Sequence, residues 1–307
     1  VVAAGTVSAG RAGSRLAHLD DLWEAGVRLF TDDGDTVADA GLLRRAMEYV
    51  AEMGGVVAQH AVDPGLSRGG HMHEGPLSSR LGMQGIPALA ESVVVARDLA
   101  LVRLTGCRYH VQHVSTGESL AMVEAAKAEG LPVTAEVTPH HLAFDVSAVE
   151  TMNPVYRMMP PLRSTADVDA LRSGLRRGVI DAVATDHAPH AAHEKEVPFE
   201  EAPNGVTGLE WAAAAVITEV GLDQAGLFAA LSTRPAGIAG LADHGRPVEK
   251  GNPANLTVID PQARWVAVST RSRSANSPWL GRPLTGRVVL TVRAGVTTFA
   301  AEALPAP

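Results

Sequence analysis

Residues 108–138 read RYHVQHVSTGESLAMVEAAKAEGLPVTAEVT, and this stretch decides the fold. Apolar residues at 109 and 111 make 108–113 a short strand that ends in His113. Residues 117–129 carry Leu120, Val123 and Ala126 at helical spacing, preceded by Thr116 as a candidate N-cap. Pro132 then reopens an extended run to Thr138. A strand, a helix and a second strand within so short a span are a parallel βαβ unit.

The alternation extends in both directions. Strands are predicted at 1–7, 27–31, 55–60 and 180–185, with helices at 15–25, 38–53, 86–105, 166–177 and 209–220. That makes about six βα units, where a closed (β/α)8 barrel has eight. The fold class predicted is α/β: a TIM-like barrel, N-terminally truncated, that lacks its first two units. The chain opens with valine inside an apolar run, which points the same way. The alternative is a doubly wound open sheet, whose phosphate turn Gly10-Arg11-Ala12-Gly13 matches only loosely. Beyond about residue 241 the texture changes to a turn cluster at 251–255 and strands at 256–259 and 287–294. The expected division is a barrel over 1–243 and a small β appendage over 244–307.

The 307 residues are 46% hydrophobic and 20% charged, enough for a large core. A net charge of -8 without a basic stripe argues against nucleic acid, and no run is apolar enough to suggest a membrane span. A soluble, cytoplasmic protein is expected. Cys107 stands alone, so no disulfide within the chain is available, and a buried thiol is expected.

Titratable residues gather where strands stop. The strand at 27–31 runs into Asp32 and Asp33, 55–60 ends in His60, 108–113 in His113, and 132–138 is followed by His140 and His141. The strand at 180–185 runs into ATDHAPH, residues 184–190, with Asp186, His187 and His190. In a barrel all carboxyl ends of strands converge on one face, so two histidines and two carboxylates from four strands could meet. Imidazole nitrogen and carboxylate oxygen suit Zn²⁺, which lowers the pKa of bound water to about 7. Each histidine alone also reads as a hydrogen-bonded structural residue, and each aspartate as a cap.

Taken with Lys195, residues 184–190 resemble the C-terminal signature of the dihydroorotases, a branch of the metal-dependent amidohydrolases. Further landmarks in the family's order are FTDDG at 30–34, QHVST at 112–116, EVTPHHL at 136–142 and NGVTGLE at 204–210; the run 251–261 resembles the start of the closing β-domain strands. The resemblance covers nearly the whole chain. It implies a distorted TIM barrel with a zinc centre of one or two ions, and reversible closure of N-carbamoyl-L-aspartate to L-dihydroorotate in pyrimidine biosynthesis, with hydroxide generated at zinc as nucleophile. Carried over residue by residue, it makes Asp33, His60 and His113 metal ligands and Asp186 both ligand and general base. His190, Asn204 and Gly205 become substrate contacts. A homodimer and an association with aspartate transcarbamoylase are possible partners.

Two departures stand out. The family's His-x-His pair with its following arginine is missing from any strand end; the only such pair, His71-Met72-His73, lies in a glycine-rich loop and is read as a polar loop. The pair is expected on an absent N-terminal segment, so the chain as it stands is expected to bind metal poorly, with an inactive fragment as an open outcome. Second, Met159 in RMMPPLR, residues 157–163, stands where the family carries a substrate-contacting asparagine, and a thioether cannot donate a hydrogen bond. Asp32 is read as a turn residue, His187 as orienting its neighbours, and 191–203 as a flap over the cleft. The rival readings are another cyclic-amide hydrolase (dihydropyrimidinase, hydantoinase or allantoinase) and a non-catalytic dihydroorotase-like subunit that supports aspartate transcarbamoylase.

Overall fold

The computed structural model describes residues 1–301. Its strands are β1 (Leu29–Phe30), β2 (Val56–Gln59), β3 (Met72–His73), β4 (Gly85–Ile86), β5 (Arg108–Val111), β6 (Val133–Val137), β7 (Ala182–Val183), β8 (Leu256–Val266), β9 (Pro283–Arg293) and β10 (Val296–Ala300). The main sheet is parallel in the order β1-β2-β5-β6-β7. β5 and β6 are the two strands of the stretch quoted first, joined by the helix Gly117–Ala128. Thr116 caps that helix by accepting from Ser119 N at 3.2 Å. Each strand of this sheet pairs in parallel with the one that follows it in the sheet, and the crossover from β2 to β5 also carries the small sheet β3-β4.

Each unit has its own local logic. The helix Ala40–Met53 starts on Asp39, whose carboxylate accepts from Leu42 N at 2.6 Å, and stops at Gly54, which is left-handed at φ 75°. The helix Thr165–Arg177 starts with a capping box between Ser164 and Asp167. β2 is buried along its whole length, as a strand covered on both faces must be. Val57, Tyr109, Val111, Ala135 and Val137 form the centre of the core with Leu43, Met47 and Val95 from the flanking helices. A second core gathers Phe144, Met158, Trp211 and Trp279. Cys107 is buried, as expected, and burial pushes its thiol up to about 11.

Several elements differ from expectation. The strand predicted at 1–7 is reduced to a single parallel bridge between Gly5 and Phe30. Asp32 explains why: its carboxylate takes the amides of Val7 and Ser8 at 2.8 and 3.0 Å and bends the chain off the sheet. The strand predicted at 180–185 keeps only two residues; at its start the Asp181 side chain takes Ala135 N at 2.8 Å, while Asp181 N donates to Ala135 O at 2.9 Å. The helix predicted from 86 starts at Leu89; Ile86, held extended before Pro87, pairs instead with His73. The strands after residue 255 form an antiparallel sheet, β10-β9-β8, against which the helix Ala212–Glu219 packs, with Thr285 N donating to Thr218 Oγ1 at 2.9 Å. Residues 302–307 of the expected appendage lie outside the described residues.

Candidate metal centre

The carboxyl ends of β1, β2 and β5 bring Asp33, His60 and His113 together. His60 Nδ1 lies 2.9 Å from His113 Nε2, and Asp33 Oδ1 lies 3.5 and 3.4 Å from those two nitrogens. The imidazole rings meet edge to face at 79°. Both histidines are buried, whereas Asp33 stands at the mouth with 44% of its side chain exposed.

Buried hydrogen bonds hold this geometry. Behind His60, Gln59 donates to Asp98 Oδ2 at 3.1 Å and accepts from Val37 N at 3.2 Å, while Tyr109 Oη donates to the same Asp98 oxygen at 2.7 Å. Beyond His113, the buried Glu91 takes the amides of Ser115 and Thr116 and the Thr116 hydroxyl. Glu91 thereby fixes the turn that leaves His113 at φ 33°, a conformation costly for a non-glycine residue. Nδ1 of His113 is buried without a partner, so packing and the Nε2 contacts set its ring orientation.

The charges show what the centre wants. Burial disfavours ionised Asp33, but hydrogen bonds from His113 and His60 prevail and hold its carboxyl well below the usual range. Burial likewise works against a charged His113, yet the hydrogen bond and charge of Asp33 push it up to about 9. His60, chiefly through burial, is held low. Three candidate ligand atoms thus lie within 4.8 Å of one another. Two nitrogens and an oxygen in a buried, convergent set fit a divalent ion of the zinc type.

One consequence is measurable. The raised His113 pKa contributes stability fully below its ordinary value of 6.5, and that stability is lost as pH rises toward 9. Asp33, held low, is ionised in both states over this range. The lowered histidines His60, His71, His73, His140 and His141 act in the opposite sense, each adding stability as pH rises through 6.5 until its unfolded imidazole has lost its proton. Metal-free protein is therefore expected to lose Tm above about pH 7.5, before the lowered Lys195, at about 8, starts to oppose the loss. A flat or rising Tm in calorimetry of chelator-treated protein would remove the Asp33–His113 ion pair from the account.

Asp186 lies in the same cleft of about 470 Å³, with Arg11, Met159, Asn204 and Gly205. It follows β7 in a left-handed conformation, φ 44°. Burial raises its carboxyl pKa; His113 and His60 oppose the rise, and Asp33 and Glu136 add to it. It is not one of the three convergent ligand groups. His190 stands one step behind the wall, its Nε2 2.8 Å from Asn204 O. His187 Nδ1 accepts from Gly208 N at 3.0 Å and orients that turn, as the sequence predicts. Asp32 binds backbone, also as predicted. His73 faces Arg163 at 3.4 Å, His141 is held by Thr138 at 2.8 Å and Pro160 O at 3.0 Å, and His140 is buried with both ring nitrogens unpartnered. Sequence reasoning missed Glu91, Asp98 and Asn276. Asn276 Nδ2 donates to Ala188 O and Gly205 O at 2.9 and 3.1 Å, and only a contact map could reveal that.

A dihydro-orotase-like family model matches residues 1–119. Over 303 residues the chain is 47% identical to a dihydroorotase of Streptomyces coelicolor, covering 96% of this chain and 71% of that protein. The chain belongs to the dihydroorotase family. A Mycobacterium leprae dihydroorotase is 44% identical, over 98% of this chain and 72% of its own length. Among solved structures, the L-hydantoinase (dihydropyrimidinase) of Arthrobacter aurescens superposes with TM-score 0.81 at 26% identity, over 93% of this chain and 68% of that one. This dihydroorotase-family chain thus shares its fold with the L-hydantoinase, while its sequence is more like the dihydroorotases, at 44–47% identity against 26%. No helix among the described residues is long and apolar enough to cross a membrane.

Proposed function

We propose that the chain interconverts L-dihydroorotate and N-carbamoyl-L-aspartate in the cleft between Asp33 and Gly205. The observation that carries the proposal is the convergent Asp33–His60–His113 triad, with Asp186 across the same cleft, in a chain of this family. The main sheet is read as consecutive staves of a TIM-like barrel, a reading supported by its parallel order and by the likeness to the hydantoinase. Asp33, His60 and His113 would hold zinc. A zinc ion there would polarise the ring carbonyl and make water a nucleophile at neutral pH.

The protein's own residues do the rest. In ring opening, water adds to the ring amide carbon and the bond from carbon to ring nitrogen breaks. Asp186 takes a proton from the water and delivers it to that nitrogen. In ring closure Asp186 takes the proton from the ureido nitrogen and returns it to the departing oxygen. Burial raises the Asp186 carboxyl pKa, which makes its carboxylate a stronger base than an ordinary aspartate and suits it to taking a proton. The main chain of Asn204 and Gly205, braced by His190, would bind the substrate edge. The cleft volume falls in the range, roughly 300–1,000 Å³, of small-molecule sites. Met159 lines this cleft and brings no donor to it.

The test compares ring opening of dihydroorotate, dihydrouracil and hydantoin by the zinc-loaded protein. Dihydroorotate is expected to lead by at least about 100-fold in kcat/KM, since a site built around a polar group strongly rejects analogues that lack it. A preference for hydantoin or dihydrouracil would place the chain with the hydantoinases in activity. A protein that takes up zinc and opens none of the three rings would be a non-catalytic relative.

A further inference from the structure

The segment 191–203, expected as a flap, is tied down by one side chain. Lys195 closes the short helix Ala192–Lys195 and turns its ammonium inward. Nζ donates to Pro203 O at 2.6 Å, to Pro154 O at 3.2 Å and to Arg157 O at 3.5 Å. No carboxylate pairs with Nζ within 4 Å among the described residues, so the bonds of this ammonium go to main-chain carbonyls.

Those carbonyls matter because of what adjoins them. Pro203 precedes Asn204, and Arg157 O also accepts from Gly205 N at 2.9 Å. The Arg157 guanidinium donates to Phe199 O at 2.5 Å and to Asn204 Oδ1 at 3.2 Å. The Lys195 ammonium therefore holds the peptide before Asn204, and the 157 carbonyl, which it also bonds, holds the amide of Gly205. The wall has no slack. Gly205 has φ 126°, and a Cβ there would stand 2.4 Å from the Ala188 Cβ and 3.2 Å from His190 Nε2. A ring docked between Asp33 and this wall meets main chain whose position depends on three bonds made by one amine.

We propose that Lys195 is a positioning residue: by gathering the carbonyls of Pro154, Arg157 and Pro203 it sets where the Asn204–Gly205 main chain stands against the substrate. This rests on the reading of that wall as the substrate-binding edge. A cation bonded to neutral carbonyls is stronger than a neutral bond of the same length, so its loss is felt at the wall and not at the metal ligands.

The experiment uses Lys195→Met, which keeps the aliphatic stem, and Lys195→Arg, which keeps a donor. In Lys195→Met, amide hydrogen exchange over 199–205 and 154–157 is expected to rise about tenfold or more, the scale set by losing a charged hydrogen bond. Exchange over β2 and β5 and zinc bound per chain should not change. KM for dihydroorotate should rise by a similar factor while kcat stays within about threefold, and Lys195→Arg should recover part of both effects. Unchanged exchange at 199–205, or a rise spread equally over the strands, overturns the proposal. So does a fall in kcat at constant KM. If the parent protein opens no dihydroorotate, the functional reading fails, and the exchange comparison alone still decides whether Lys195 holds the wall.

Discussion

Asp186→Asn is expected to fold, to bind zinc and to turn over dihydroorotate about 10²–10⁴-fold more slowly than the parent, the range that a positioned general base commands. The argument rests on separating two roles that one carboxylate could play. Asp186 shares the cleft with the triad, but the three atoms that converge belong to Asp33, His60 and His113. Asparagine keeps an oxygen that can still face a cation and keeps the size of the side chain. It also tolerates the left-handed backbone that Asp186 adopts at φ 44°. What it loses is the capacity to take and return a proton. The decisive pair of measurements is kcat and zinc content on the same preparation. Near-normal kcat would remove Asp186 as the base. A loss of zinc in parallel with kcat would make it chiefly a ligand.

The second large effect is expected at His113. His113→Ala removes the nitrogen at the centre of the triad, 2.9 Å from His60 and 3.4 Å from Asp33. Zinc affinity should fall by more than about 100-fold, because residues that merely orient metal ligands already cost 10–100-fold when removed. Turnover should fall with it. His71→Ala is the contrast. That residue belongs to the one His-x-His pair in the chain, yet it sits beside β3, outside the convergent group, and bound zinc should stay as in the parent. Isothermal titration with zinc reads both variants. Equal affinity in His113→Ala and the parent would take the metal out of this cleft, and a loss in His71→Ala would move it to the loop.

These contrasts also mark what the sequence could convey. Periodicity located β2, β5 and β6, since Val57, Tyr109, Val111, Ala135 and Val137 are apolar at alternate positions and the helices Ala40–Met53 and Gly117–Ala128 carry their own caps. Strand ends then placed His60 and His113, because in a parallel sheet the end of a strand is a position in space as well as in sequence. The edges were harder. The run 1–7 is apolar enough for a strand, but a carboxylate twenty-five residues away, Asp32, takes its amides. Ile86 has the pattern of a helix start and pairs with His73 because a proline follows it. Lys195 was visible only as part of a signature, and its three carbonyl partners come from loops 8 to 41 residues distant. Glu91 and Asn276 hold the site from outside any motif, through hydrogen bonds that no local pattern encodes.

The left-handed backbones at His113 and Asp186 carry a last consequence. Two residues to which the proposed reaction assigns its metal contact and its base stand where glycine would be more comfortable, at a cost on the order of 1–3 kcal/mol each. A search for heat-resistant variants that scored folding alone would be drawn to those two positions first. The protein's thermal margin and its usefulness as a catalyst therefore pull in opposite directions at the same two backbone hinges, and hardening this enzyme has to begin elsewhere, in its helices and in the outer sheet.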